Sequence, residues 1–267
     1  MLSRVVSATV GIGLALLAIY LGGWWFVAAL AILILIGQRE FFALVRAKGY
    51  HPSEWLCLGF SAALLVVQQA QPEWTMPLLI VGGTFLCMAL LFRSEPGTIG
   101  DMGANVLGLF YAAFLPSFLI RLRGLDQGML LLLLTFACIW ASDIGAFFVG
   151  KAFGKTKLSP RISPKKTVEG AIFGTGGSIA VGLAGAYWMH WHLWPVTGGI
   201  FGLLIGVFGL LGDLTESLLK RDAGVKDSGN VMPGHGGILD RADSYIFTAP
   251  IAFYYANIFV LERFFLR

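Results

Sequence analysis

Apolar positions along this chain neither alternate nor fall on a single helical stripe. They come in long runs, at about 5–21, 24–37, 55–70, 75–92, 104–120, 128–149, 170–189, 194–212 and 244–261. A helix needs about 20 mostly apolar residues to cross the hydrocarbon core of a bilayer, and strands of a soluble core are far shorter. The pattern therefore predicts an all-α, polytopic integral membrane protein with about nine transmembrane helices. The second run is short, but Gln38 to Lys48 has helix-forming character and is expected to extend it as an amphipathic helix, which Gly49, Tyr50, His51 and Pro52 end. The first run follows Arg4 and resembles a signal peptide in length, yet no small-residue cleavage pattern closes it. It reads as a retained first helix.

Composition agrees with the pattern. Of 267 residues, 57% are hydrophobic and 13% charged, whereas a soluble domain carries about 25% charged residues. The net charge of +4 raises the question of a nucleic-acid partner, but the basic residues sit in loops between spans, so no nucleic acid is expected. With nine spans and a cytoplasmic N-terminus, the inner loops hold Arg4, Arg39, Arg46, Lys48, Arg93, Lys151, Lys155, Lys157, Arg161, Lys165, Lys166, Lys220, Arg221, Lys226 and Arg241. The outer set is Arg121, Arg123, Arg263 and Arg267, so the 19 basic residues divide fifteen to four. That bias predicts a cytoplasmic N-terminus and a multi-pass protein of the cell inner membrane with its active site facing the cytoplasm. Cys57, Cys87 and Cys138 lie inside or at the ends of apolar runs without paired spacing, which points to buried thiols rather than zinc or disulfides.

Ten of the fifteen inner basic residues fall in two long loops, Gly150 to Glu169 and Asp213 to Asp243. No internal repeat or linker divides the chain. It is expected to form one membrane-embedded catalytic unit over 1–267, with the catalytic portion concentrated in 140–245. Asp143 lies near the cytoplasmic end of the sixth run, and an ionisable group inside a span normally faces a cavity or a partner. The plainer reading is a pair with a nearby lysine. Ser163, Lys165, Lys166 and Thr167 precede the seventh run, whose first turn favours anions, so they could together hold phosphate oxygens; Glu169 follows them. A polybasic loop resting on anionic lipid would explain the lysines but not the two prolines or Glu169.

The second loop is the denser. If the eighth helix continues past Asp213, then Asp213, Glu216, Ser217 and Lys220 share one face. Asp240 and Asp243 open the ninth run three residues apart, and the Pro233 to Gly237 stretch can turn sharply enough to bring backbone N–H groups to a phosphate. Carboxylates from two helix ends amid lysines and arginines suit a magnesium-bound triphosphate. A phosphate nucleophile is already ionised near neutral pH, so His235 fits a positioning or phosphate-contact role better than that of a general base.

Ser217, Lys220, Arg221, Lys226, Asp227, Gly229, Pro233, Gly234, His235, Gly236, Gly237, Asp240, Arg241 and Asp243 together resemble the signature of the phosphatidate cytidylyltransferases, or CDP-diacylglycerol synthases, at every fixed position. The Asp143 segment and the Ser163 to Gly170 stretch are similar to that family as well, and the likeness covers most of the chain, the first hundred residues contributing mainly hydropathy and the Arg39–Glu40 neighbourhood. The resemblance implies transfer of a cytidylyl group from CTP to phosphatidic acid, giving CDP-diacylglycerol and pyrophosphate for phospholipid biosynthesis, with Mg2+ required. It implies Asp213 and Asp240 as metal ligands in a two-cation centre, with K+ as a candidate second cation. The remaining catalytic candidates are Lys220, Arg221, Lys226, Asp227, His235, Arg241 and Asp243; the substrate-binding candidates are Asp143, Ser163, Lys165, Lys166, Thr167, Glu169 and Ser217. Membrane lipid is the setting, and a homodimer is consistent with the family. A CTP-dependent lipid kinase and an enzyme for ether or isoprenoid phosphatidate analogues are the alternatives within reach of these motifs. A transporter would carry a repeat and midplane charges, which are not seen.

Overall fold

The computed structural model describes residues 2–94, 97–231 and 236–261, with side chains from Gly11 onward. Pro233, Gly234, His235, Arg263, Arg267 and the side chain of Arg4 lie outside this set. Among the described residues seven helices are long and apolar enough to cross a membrane: Gly23–Ala47, Pro72–Phe92, Ile99–Gly124, Gly128–Phe153, Val168–Trp188, Trp194–Asp222 and Leu239–Leu261. Two shorter apolar helices, Gly11–Leu21 and Glu54–Ala70, coincide with the first and third predicted runs. The protein is thus a polytopic helical membrane protein with about seven membrane-length helices. Its described residues pack into two compact units, one drawn from Met1–Arg121 with Leu219–Ala242, the other from Leu122–Leu218 with Asp243–Arg267.

The first unit contains α1 (Leu2–Leu21), α2 (Gly23–Ala47), α3 (Glu54–Ala70), α4 (Thr75–Ala89), α5 (Ile99–Leu109) and most of α6 (Leu115–Gly124). The predicted extension of the second run is real, since α2 reaches Ala47 unbroken before Gly49 takes φ +84°. Its final turns are not merely a surface stripe, however. Phe41 and Phe42 are fully buried, edge-on at 5.5 Å between ring centres, and pack in a core with Leu64, Leu65, Leu86, Leu90 and Leu109.

Backbone N–H groups of a loop packed against helices need acceptors. The connection from α2 to α3 finds two of them in polar side chains of α5. Asp101 accepts from the His51 N–H at 2.5 Å and closes a capping box with Thr98, while Asn105 accepts from the Ser53 N–H at 2.7 Å and donates to the Leu86 carbonyl. Between α5 and α6 a π-helical turn spans Phe110–Phe114, just ahead of Pro116, whose missing N–H interrupts the helical ladder.

The second unit holds α7 (Gly128–Phe153), α8 (Val168–Trp188), α9 (Trp194–Asp222) as far as Leu218, and α10 (Leu239–Tyr255) from Asp243 onward. Small residues let these helices approach backbone to backbone. A Cβ on Gly174 of α8 would lie 2.5 Å from the Ser142 carbonyl of α7, and one on Gly202 of α9 would lie 2.5 Å from the Ser178 carbonyl of α8. Ser178 itself donates to the Gly202 carbonyl at 2.7 Å. Helix α9 runs without a break past Asp213, as its expected extension required.

One feature departs from the all-α expectation. Two short strands, β1 (Lys157–Ser159) and β2 (Ser163–Thr167), form an antiparallel hairpin between α7 and α8, with Lys157 opposite Thr167 and Ser159 opposite Ser163. The hairpin is brief enough to be hidden in a loop composed of prolines, serines and lysines.

Candidate active site

Strand β2 leads directly into α8, and the junction explains two of the predicted residues. Thr167 is buried, and its hydroxyl accepts from the Gly170 N–H at 3.2 Å, capping α8. Glu169 turns back to accept from the Thr156 N–H at 3.1 Å, fixing the turn that leaves α7. Both therefore act first as scaffolding for the hairpin. Ser163 lies in the far pair of the ladder.

The hairpin forms one wall of a cavity of about 630 Å³ within the second unit. Lys151, Lys157, Lys165 and Lys166 line it together with Asp143 and Asp213, and Phe147, Leu158 and Leu210 add apolar surface. Lys166 Nζ stands 2.5 Å from Asp213 Oδ2. On the far side of Asp213, the Ser217 hydroxyl lies 3.5 Å from Oδ1. Gly212 brings α9 against α10, since a Cβ there would lie 2.4 Å from the Asp243 carbonyl. As a result Asp143, Asp213 and Asp243 feel one another's charge, and Lys166 is the cation that offsets it. Three carboxylates drawn together repel one another unless cations join them.

The first unit assembles a second acidic centre, around Asp240. Lys220 and Asp240 form a largely buried ion pair at 2.6 Å, with side chains 12% and 8% exposed. The other carboxylate oxygen, Oδ2, accepts from the Ser228 N–H at 2.9 Å, the Ser228 hydroxyl at 3.0 Å and the Gly237 N–H at 2.8 Å. Arg221 folds back to donate to the Val225 carbonyl at 3.0 Å. Lys226, Asp227 and Arg241 are exposed. His235 lies outside the described residues.

Sequence reasoning gave three contributors no role in the site. Lys151 and Lys157 were counted only as inner basic residues, yet both line the cavity. Glu40 is buried and accepts from the Ile238 and Leu239 N–H groups at the start of α10, at 3.0 and 2.8 Å. Glu40 falls just past the second apolar run, beside Arg39 in its polar extension, so the rule that singled out Asp143 did not reach it.

A cavity lined by lysines and two aspartates in one unit, a lysine–aspartate pair in the other, and membrane-length helices carrying both define a membrane-embedded protein suited to phosphorylated substrates. A family model described as the cytidylyltransferase family matches residues 2–259. The chain is 47% identical to a phosphatidate cytidylyltransferase of Synechocystis sp. across 94% of its own length and 95% of that protein. It is 37% identical to the chloroplastic phosphatidate cytidylyltransferase 4 of Arabidopsis thaliana over 94% of this chain and 72% of that one. A phosphatidate cytidylyltransferase of Bacillus subtilis shares 46% identity over 61% of each chain. The chain belongs to the cytidylyltransferase family.

Proposed function

We infer that this protein transfers a cytidylyl group from CTP to phosphatidic acid, giving CDP-diacylglycerol and pyrophosphate, and so serves phospholipid biosynthesis. The observation that carries the reading is similarity to phosphatidate cytidylyltransferase along nearly the whole chain, signature included. A phosphate oxygen of phosphatidate attacks the α-phosphorus of CTP as the bond to pyrophosphate breaks, with no covalent enzyme intermediate. Catalysis then consists of positioning and charge compensation.

The donor set suits Mg2+. Among the described residues there is no cage of three or more His, Cys, Asp or Glu ligands. Magnesium does not need one, since it is commonly held by one or two carboxylates plus substrate phosphates. We assign Asp213 and Asp240 as cation ligands, with K+ as a candidate second cation; each aspartate already has an ammonium group at contact distance. When bound, Mg2+ would neutralise charge developing on the transferred and leaving phosphates. The chain's own part is to supply cations around that charge. Lys151, Lys157, Lys165 and Lys166 hold phosphate oxygens in the cavity, and Lys220, Arg221, Lys226 and Arg241 serve the signature segment. Asp143 and Asp243 add negative charge that favours cation binding at Asp213. Ser217 holds Asp213, and His235 contacts phosphate.

Counting the two shorter apolar helices as crossings makes nine, with a cytoplasmic N-terminus, and the whole chain works as one catalytic unit of the inner membrane, as a homodimer. The fifteen-to-four division of basic residues supports the orientation. A reporter fused at the N-terminus should be protease-accessible only in inside-out vesicles; accessibility from the outer face would reverse the topology. Amine crosslinking in native membranes should give a species of twice the monomer mass.

The decisive assay supplies detergent-purified protein with Mg2+, phosphatidic acid and CTP labelled separately at the α- and γ-positions. Label from the α-position is expected in lipid, with pyrophosphate released. Label from the γ-position in lipid would make the protein a kinase instead. Ether-linked and isoprenoid acceptors, run in parallel, are expected to turn over more slowly than the diacyl lipid.

A further inference from the structure

Glu40 lies on α2, almost two hundred residues from the groups it contacts in the signature segment, and the residue is 6% exposed. A buried carboxylate persists where donors are aimed at it, and here they come from the signature segment. Oε1 accepts from the Ile238 N–H at 3.0 Å; Oε2 accepts from the Leu239 N–H at 2.8 Å and has the Ser228 hydroxyl at 3.3 Å. The first N–H groups of a helix have no acceptor within it, so Glu40 caps α10 from a distant part of the chain. The segment is shaped to admit this carboxylate. A Cβ on Gly229 would lie 2.5 Å from Oε1, and one on Gly237 would lie 2.4 Å from Oε2. These glycines are needed for the space they leave to Glu40.

Ser228 stands between Glu40 and Asp240. Its single hydroxyl proton is within reach of both carboxylates, and its N–H is committed to Asp240, as is the N–H of Gly237. Fixing Ser228, Ile238 and Leu239 therefore fixes the groups that orient Asp240, which in turn meets Lys220 through its other oxygen. We propose that Glu40 is a positioning residue for cytidylyl transfer: by gripping both flanks of the signature segment it aims Asp240 at its cation. The proposal rests on the assignment of Asp240 as a cation ligand. Groups that orient metal ligands typically contribute ten- to a hundredfold to metal affinity.

The test compares Glu40→Gln, Ser228→Ala, Asp240→Asn and Asp101→Asn in purified full-length protein. Three quantities are read: the Mg2+ concentration for half-maximal turnover, Mn2+ affinity by electron paramagnetic resonance without substrate, and the melting temperature from tryptophan fluorescence without cation. In Glu40→Gln the amide retains one acceptor but sets its NH2 against a backbone donor. It is expected to raise both the Mg2+ requirement and the Mn2+ dissociation constant about tenfold or more. Ser228→Ala, which keeps Glu40 as the cap, is expected to shift both in the same direction by less. Asp101→Asn removes another buried carboxylate of the first unit and should lower the melting temperature while leaving the cation parameters unchanged. Wild-type cation parameters in Glu40→Gln would overturn the proposal. So would an equal shift in Asp101→Asn, because the effect would then follow general stability. If Glu40→Gln does not fold, Ser228→Ala decides by the same measure. Unaltered turnover and cation binding in Asp240→Asn would sink the underlying ligand assignment instead.

Discussion

Asp213→Asn is expected to reduce turnover by about a thousandfold or more, on the scale seen when a principal electrostatic contact at a reacting phosphate or oxyanion is lost. The substitution keeps the shape of the side chain and removes its charge. The Lys166 Nζ is enclosed, but Asp143 and Asp243 remain to offset its charge, so the fold should survive and the protein should extract and melt as the wild type does. Asp240→Asn should abolish turnover to a similar degree but with a loss of stability. Its amide NH2 would either oppose the N–H groups of Ser228 and Gly237 or leave the buried Lys220 without its counter-charge. Steady-state rates at saturating CTP and lipid, measured beside melting curves, separate the two cases. Undiminished turnover in Asp213→Asn would remove that residue from the catalytic centre.

The second large effect concerns packing. Gly202→Val is expected to cost about 3 kcal/mol or more and to leave little monodisperse protein in detergent. The new Cβ would meet the Ser178 carbonyl at 2.5 Å and the Ile179 Cα at 2.6 Å, both backbone atoms that cannot swing aside. Helices α8 and α9 would have to part, and with them the Ser178 to Gly202 hydrogen bond. Gly176→Val on the same α8 is the control, since a Cβ there meets nothing within 4 Å. Size-exclusion profiles should be aggregated for the first variant and unchanged for the second. Equal behaviour would mean that the close approach does not hold the unit together.

Much of the candidate site could be picked out because its residues are consecutive or set at helical spacing. The reach of α9 past Asp213 followed from an apolar run continuing into polar residues of high helix propensity, and α9 extends to Asp222. Asp143 and Lys166 were legible from cost and charge, and they line one cavity. Glu40 was not, because its partners are the N–H groups of Ile238 and Leu239, and backbone donors have no letter in the sequence. Thr167 and Glu169 were read as substrate contacts when their nearest duties are to cap α8 and hold Thr156. A hydroxyl or carboxylate beside a helix start serves either purpose, and only the fold decides which neighbour is nearer. The shorter strands escaped notice for a related reason, since three residues cannot establish a period.

The Lys166–Asp213 pair has a consequence for the order of events. On the proposed assignments each partner is the other's competitor: a cation held at Asp213 would free the ammonium group, and a phosphate held at Lys166 would free the carboxylate. Neither visitor can take its place without breaking the same contact, so the first to arrive bears that cost and the second does not. By thermodynamic reciprocity the two ligands then raise each other's affinity by an equal factor. The protein would hold nucleotide weakly without metal and metal weakly without nucleotide, and commit itself only when both are present.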